Sequence, residues 1–169
     1  MTRKLTLLFA LPLISALYGS TALASVASFT VLADVVAQVG GDHVEVSSLV
    51  GPNGDPHEFE PSPVDAKALK AAKVTFISGE GLEGWMERLI SASGYEGKPV
   101  VVSDGIKLRS MEEDGKTVTD PHVWNSPVNV KVWVDNIEAA LAKADPEDAA
   151  DFEANARAYK AKLDVMDGY

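Results

Sequence analysis

From Ser28 onward the chain alternates between two hydrophobic periods. "SFTVLA", residues 28–33, reads as a short buried strand, and "DVVAQVGG", residues 34–41, as a helix stopped by glycine. "HVEVSSLV" follows as a second strand with Val44, Val46 and Leu49 as its apolar positions, and "GPNGDPHEFE", residues 51–60, as a loop. Ser62 is a helix cap, Pro63 suits the first helical position, and Asp65 stands where a capping-box acid stands. "KVTFIS" from Lys73 is the third strand, "LEGWMERLISAS" a helix ended by Gly94, and "PVVVS" from Pro99 the fourth strand. "GIKLRSMEEDGKTVTDP", residues 105–121, is polar and reads as a surface loop. Ser126 and Pro127 repeat the cap of Ser62 and Pro63, and Val130, Trp133, Val134, Ile137 and Leu141 share one face of the helix that follows. Asp145 and Pro146 open a last helix carrying Phe152, Ala156, Tyr159 and Leu163, still periodic at Met166. Strands alternating with helices predict an α/β fold, a doubly wound and mostly parallel sheet flanked by helices.

The pattern before Ser28 is different. Arg3 and Lys4 precede an apolar run, residues 5–19, and then "ALA" at residues 22–24, the layout of a secretory signal cleaved after Ala24. Pro12 and Ser15 interrupt that run, which falls short of the roughly 20 apolar residues a spanning helix needs. No cysteine follows to carry a lipid or to form disulfides and thiolate metal sites. A chain cut after Ala24 carries a net charge of -12 rather than -10, which argues against nucleic acid and anionic membrane as partners. The expectation is an exported, periplasmic protein that does not span the membrane, with any metal held by nitrogen and oxygen.

Two of the three histidines repeat one frame. "GDPHEFEPSP" carries His57 and "TDPHVWNSP" carries His122, each after Asp-Pro, two residues before an aromatic, and just ahead of a Ser-Pro helix start. Proline restricts the backbone on both sides and aspartate favours a turn, so each loop holds its imidazole in a preset place. Phe59 and Trp124 are expected to turn to the core and anchor the loops. Loops beyond the carboxyl ends of parallel strands are where ligands gather, so His57 and His122 are the candidate metal ligands. His43 lacks the frame and is assigned no role. Asp55, Glu58, Glu60, Glu80 and Asp120 lie near the histidines as bases or ligands, but caps, turns and solvated surface account for acids as readily.

Enzyme signatures are missing. "HEFEP" has Pro61 where a zinc protease has its second histidine, and neither a nucleophile elbow nor a P-loop lysine occurs. An exported metal-dependent hydrolase, with Glu58 or Glu80 as base, is the surviving enzymatic alternative.

From about Phe29 to its end the chain resembles the periplasmic zinc and manganese solute-binding proteins of ABC importers. The resemblance rests on "VGGDHVEVSSLVGPNGDPHEFEPSPVDAKALKAAKVTFISGEGLEGW" and on "DPHVWNSPVNVKVWVDNIEAALAKADPEDAADFEANARAYKAKLD". It implies a non-enzymatic binding protein of two α/β lobes joined by a long helix, holding a metal in the cleft and presenting it to an ABC permease in the inner membrane. The family's first two ligands match His57 and His122, and its others, a histidine or glutamate and an aspartate, come from a second lobe. The expected organisation is a signal peptide at 1–24, an N-terminal metal-binding lobe at 25–145, and the start of the inter-lobe helix at 146–169. With two of four ligands, this chain alone is expected to bind metal weakly. Zinc is the expected cargo and manganese the alternative: "EGLEGWMERLISASGY" and "HVWNSP" look more like zinc-binding members, and zinc outranks manganese at nitrogen-containing sites. Against zinc, residues 110–119 are acidic where many zinc members carry a histidine-rich tract.

Overall fold

The computed structural model describes residues 22–168 and opens on a strand, β1 (Leu23–Phe29), that runs directly into helix α1 (Thr30–Gly40). The expected strand at 28–33 is therefore corrected: only Ser28 and Phe29 are strand, and Thr30–Ala33 belong to the helix. A continuous run of valine, leucine and alanine carries no period that separates a buried strand from a buried helix. Leu23 and Ala24 pair with Val44 and Glu45 in the sheet, and the Ala24 carbonyl accepts from the Lys73 N–H at 2.8 Å. The remainder of the expected leader lies outside the described residues.

A short 3-10 turn (Gly41–His43) leads into β2 (Val44–Val50), followed by α2 (Pro63–Ala71), β3 (Val74–Ile77), α3 (Met86–Ser93) and β4 (Val100–Val101). All four strands are parallel, in the order β2-β1-β3-β4. The chain moves outward on one side from β1 to β2 and on the other from β3 to β4, so the topology reverses between β1 and β3. The crevice at that reversal is where open α/β sheets bind ligands. Asp65 caps α2 as expected, its Oδ2 accepting from both Ser62 N and Ser62 Oγ at 2.7 Å.

Residues 105–121 correct a second expectation. They contain an antiparallel hairpin, β5 (Ser110–Glu113) and β6 (Lys116–Thr119), closed by Asp114 and Gly115 at φ 50° and 74°. Two consecutive residues of positive φ make the tight turn that matches strand twist, and Asp-Gly is its usual composition.

Helix α4 (Pro127–Ala144) buries Val130, Trp133, Val134, Ile137 and Leu141, the face the periodicity predicts. Helix α5 (Ala149–Asp167) starts three residues after Pro146, with Asp148 as its cap residue, and buries Phe152, Ala156 and Leu163. It packs against α1 and α4, while α2 packs against α3. Ion pairs from Lys131 to Asp164 and from Lys160 to Asp135 line the α4–α5 seam. No described helix is long and apolar enough to cross a membrane.

Candidate metal centre

Each histidine loop is built by the turn its sequence implies. Asp55 Oδ1 accepts from the His57 N–H at 2.8 Å, and Asp120 Oδ1 accepts from the His122 N–H at 3.0 Å. Both are aspartate turns closed across the intervening proline. The Trp85 indole N–H then holds the Pro56 carbonyl at 2.7 Å, and Asn129 Nδ2 holds the Val123 carbonyl at 2.9 Å. Phe59 packs on Trp85 at 4.8 Å between ring centroids, and Trp124 packs on Phe29 at 4.9 Å. The two aromatics of the repeated frame therefore seat their loops on the core, as expected.

These loops bring the two imidazoles together. His57 Nε2 and His122 Nε2 lie 3.3 Å apart, with ring centroids at 5.3 Å. The His122 Nδ1 lies 2.8 Å from Asp120 Oδ1, and a carboxylate only accepts, so that nitrogen carries the hydrogen. In the neutral ring the His122 Nε2 then keeps its lone pair on the side of His57, the arrangement in which a carboxylate orients a metal-binding imidazole. The two N–H groups of His122 hold the Asp120 carboxyl below the usual carboxylate range.

A cleft of about 400 Å³ opens at the pair, lined by His57, His122, Asp55, Glu58, Glu80 and Glu113 among others. Met111 and Val118, paired across β5 and β6, form part of its wall, so the segment expected to be a surface loop is a wall of the candidate site. Of the acids singled out in sequence, Asp55 and Asp120 are engaged in the two turns, and Glu58 and Glu80 face the cleft. Glu60 is exposed and does not line it.

One acid was missed. Glu83 is buried, accepting from Ser28 Oγ at 2.6 Å, Ser78 N at 2.7 Å and Gly79 N at 3.0 Å. Burial pushes its carboxyl up, against the lowering effect of those hydrogen bonds. The amphipathic reading of "LEGWMERLISAS" placed it on a helix, whereas α3 begins only at Met86.

His43 has a different setting. Its Nδ1 lies 2.8 Å from Asp148 and its Nε2 3.1 Å from Asp151, both from the start of α5. One donor atom from each of the three lies within 4.8 Å of the others. The ring nitrogens, however, point in opposite directions and each already faces a carboxylate, so the group closes as a clamp between the start of β2 and α5.

Residues 26–169 match the family model of the periplasmic zinc-uptake complex component A. The chain belongs to this family. A manganese-binding lipoprotein of Bacillus subtilis is 39% identical over 140 residues, covering 80% of this chain and 45% of its own length. An iron-binding protein of Yersinia pestis is 30% identical over 142 residues, covering 84% of this chain and 46% of its own. Among solved structures, a zinc-bound ZnuA deletion mutant superposes with a TM-score of 0.80 at 35% identity, over 86% of this chain and 56% of that one. A manganese-bound periplasmic metal-binding protein from Candidatus Liberibacter asiaticus gives 0.75 at 30% identity, over 82% and 52%. The chain thus spans about half the length of the relatives it matches, and its α/β architecture is that of the family's metal-binding fold.

Proposed function

We propose that this chain is the metal-receiving lobe of a periplasmic substrate-binding component of an ABC importer, with His57 and His122 as metal ligands and zinc as the cargo. The observation that carries the reading is the 3.3 Å separation of the two Nε2 atoms. Two nitrogens each about 2.0–2.1 Å from a tetrahedral zinc lie about 3.3 Å apart, so the lobe holds its imidazoles at the spacing a zinc ion needs. The Asp120 contact adds a lone pair aimed at that spot. Cargo loaded here would pass to an inner-membrane permease. The organisation read from sequence, a leader at 1–24, the lobe at 25–145 and a connecting helix from 146, is part of the same proposal.

Manganese is the second reading. It is supported by relatives named for manganese and by the carboxylates around the cleft, since manganese favours oxygen ligands. The hydrolase alternative has no comparable support, because the relatives are named as binding proteins rather than enzymes.

Calorimetric titration with zinc and with manganese tests the reading. His57→Ala and His122→Ala should each weaken zinc binding by about 100-fold or more, on the scale of losing one of two strong ligands. Zinc affinity unchanged in both variants would sink the site. Tighter binding of manganese than of zinc would overturn the choice of cargo.

A further inference from the structure

The segment that enters the crevice between β1 and β3 has an uncommon backbone. Gly79, Glu80 and Gly81 follow one another at φ 91°, 55° and 84°. Glycine adopts such values freely, but a side chain at Glu80 crowds its own backbone, and strain of this kind persists only where the surroundings enforce it. The enforcement is visible. Glu83 accepts from the N–H groups of Ser78 and Gly79, and Ser28, at the end of β1, donates to the same carboxylate. That buried brace ties the two sides of the crevice together and fixes the backbone on which Glu80 stands.

The fold gains a single side-chain hydrogen bond from a glutamate there, and glycine would meet the same φ without strain. What the placement achieves is chemical: a half-buried carboxylate in the wall of the cleft that holds His57 and His122. Its Oε1 accepts from Ser103 Oγ at 3.1 Å, a single neutral hydrogen bond that a divalent cation displaces readily. Asp55 and Asp120 are already engaged in the histidine turns. Glu58 and Glu113 line the same cleft from exposed positions, whereas Glu80 is half-buried and tied to the scaffold by that one neutral contact.

We propose that Glu80 is a third metal-binding group of this lobe, swinging from Ser103 to give one carboxylate oxygen to the ion held by His57 and His122. The proposal rests on the assignment of those histidines as ligands. It gives the lobe a negative charge against a divalent ion that two neutral imidazoles leave uncompensated.

Titration of the whole chain with zinc and with cobalt(II), together with thermal unfolding, tests it in Glu80→Gln, Glu80→Gly and Glu113→Gln. Both Glu80 variants should bind zinc about 10-fold more weakly, and the visible bands of the cobalt complex should change with the loss of an oxygen ligand. Glu80→Gly should at the same time raise Tm by about 2–4 °C, because the backbone strain is relieved. Glu113→Gln removes an equal charge from the same cleft and should change affinity less than about twofold, as a screened surface charge does. Zinc affinity in Glu80→Gln within twofold of the parent, or an equal loss in Glu113→Gln, overturns the proposal. If His57→Ala and His122→Ala remain weak in that case, only the role of Glu80 fails; if they also bind normally, the site itself fails.

Discussion

The two ends of the parallel sheet use histidine in opposite ways. At the carboxyl end, His122 commits one ring nitrogen to Asp120 and turns the other toward His57, 3.3 Å away. At the amino end, just before β2, His43 has both nitrogens facing carboxylates of α5. The residue type is the same and aspartate is the neighbour in both places. The difference lies in whether the second ring nitrogen faces a carboxylate or the other imidazole across the cleft. A ring facing carboxylates on both edges joins two elements; a ring held by a carboxylate on one edge keeps its other nitrogen turned to the cleft.

The strongest way to break this contrast is to exchange the losses. The drop of about 100-fold in zinc affinity expected for His57→Ala or His122→Ala should be absent in His43→Ala, which should bind within about twofold of the parent by titration, since both its ring nitrogens already face carboxylates of α5. Comparable weakening in His43→Ala would erase the distinction. Next in size is Asp120→Asn, which keeps the shape but weakens the grip on His122 Nδ1; zinc affinity should fall about 10-fold, the lower end for a group that orients a ligand.

Stability should show the reverse order. His43→Ala should cost about 1 kcal/mol in urea unfolding, a charge-assisted pair discounted for a partly exposed site, while His122→Ala should cost less. The smallest effect concerns pH. Burial raises the Glu83 pKa, so the folded chain holds that proton more tightly than the unfolded one, and stability falls as pH rises from 4.5 through the raised value. Asp120, lowered by its hydrogen bonds from His122, acts the other way: its contribution is present above its ordinary value and lost as pH falls. Glu83→Gln should flatten the decline above pH 4.5 in unfolding midpoints; an unchanged slope would assign that decline to another group.

Much of this architecture was legible because it is local. Ser62, Pro63 and Asp65 form their cap within one turn of chain, and the buried face of α4 follows from a helical period sustained from Val130 to Leu141. The turns at Asp55 and Asp120 need only the Asp-Pro-His order. What escaped was either featureless or distant. The boundary of β1 and α1 lies in an apolar run with no period, and the leader pattern absorbed the first residues of the strand. The β5–β6 hairpin announced itself only by Asp114-Gly115 between short, charged strands. The convergence of His57 on His122 was readable from a repeated frame, but the clamp of His43 on Asp148 and Asp151 and the brace of Glu83 on Ser28 join residues far apart in sequence. No spacing rule links such partners before the sheet order is known.

The seating of Trp124 has a further, practical consequence. Its indole lies edge-on to His122 at 5.3 Å between centroids and also contacts Phe29 and Trp133. An indole so close to an imidazole proposed as a metal ligand would serve as a native optical reporter of that proposal. Emission from Trp124 should change as the cleft fills, giving occupancy without an added label and allowing the arrival of the ion to be timed as well as weighed.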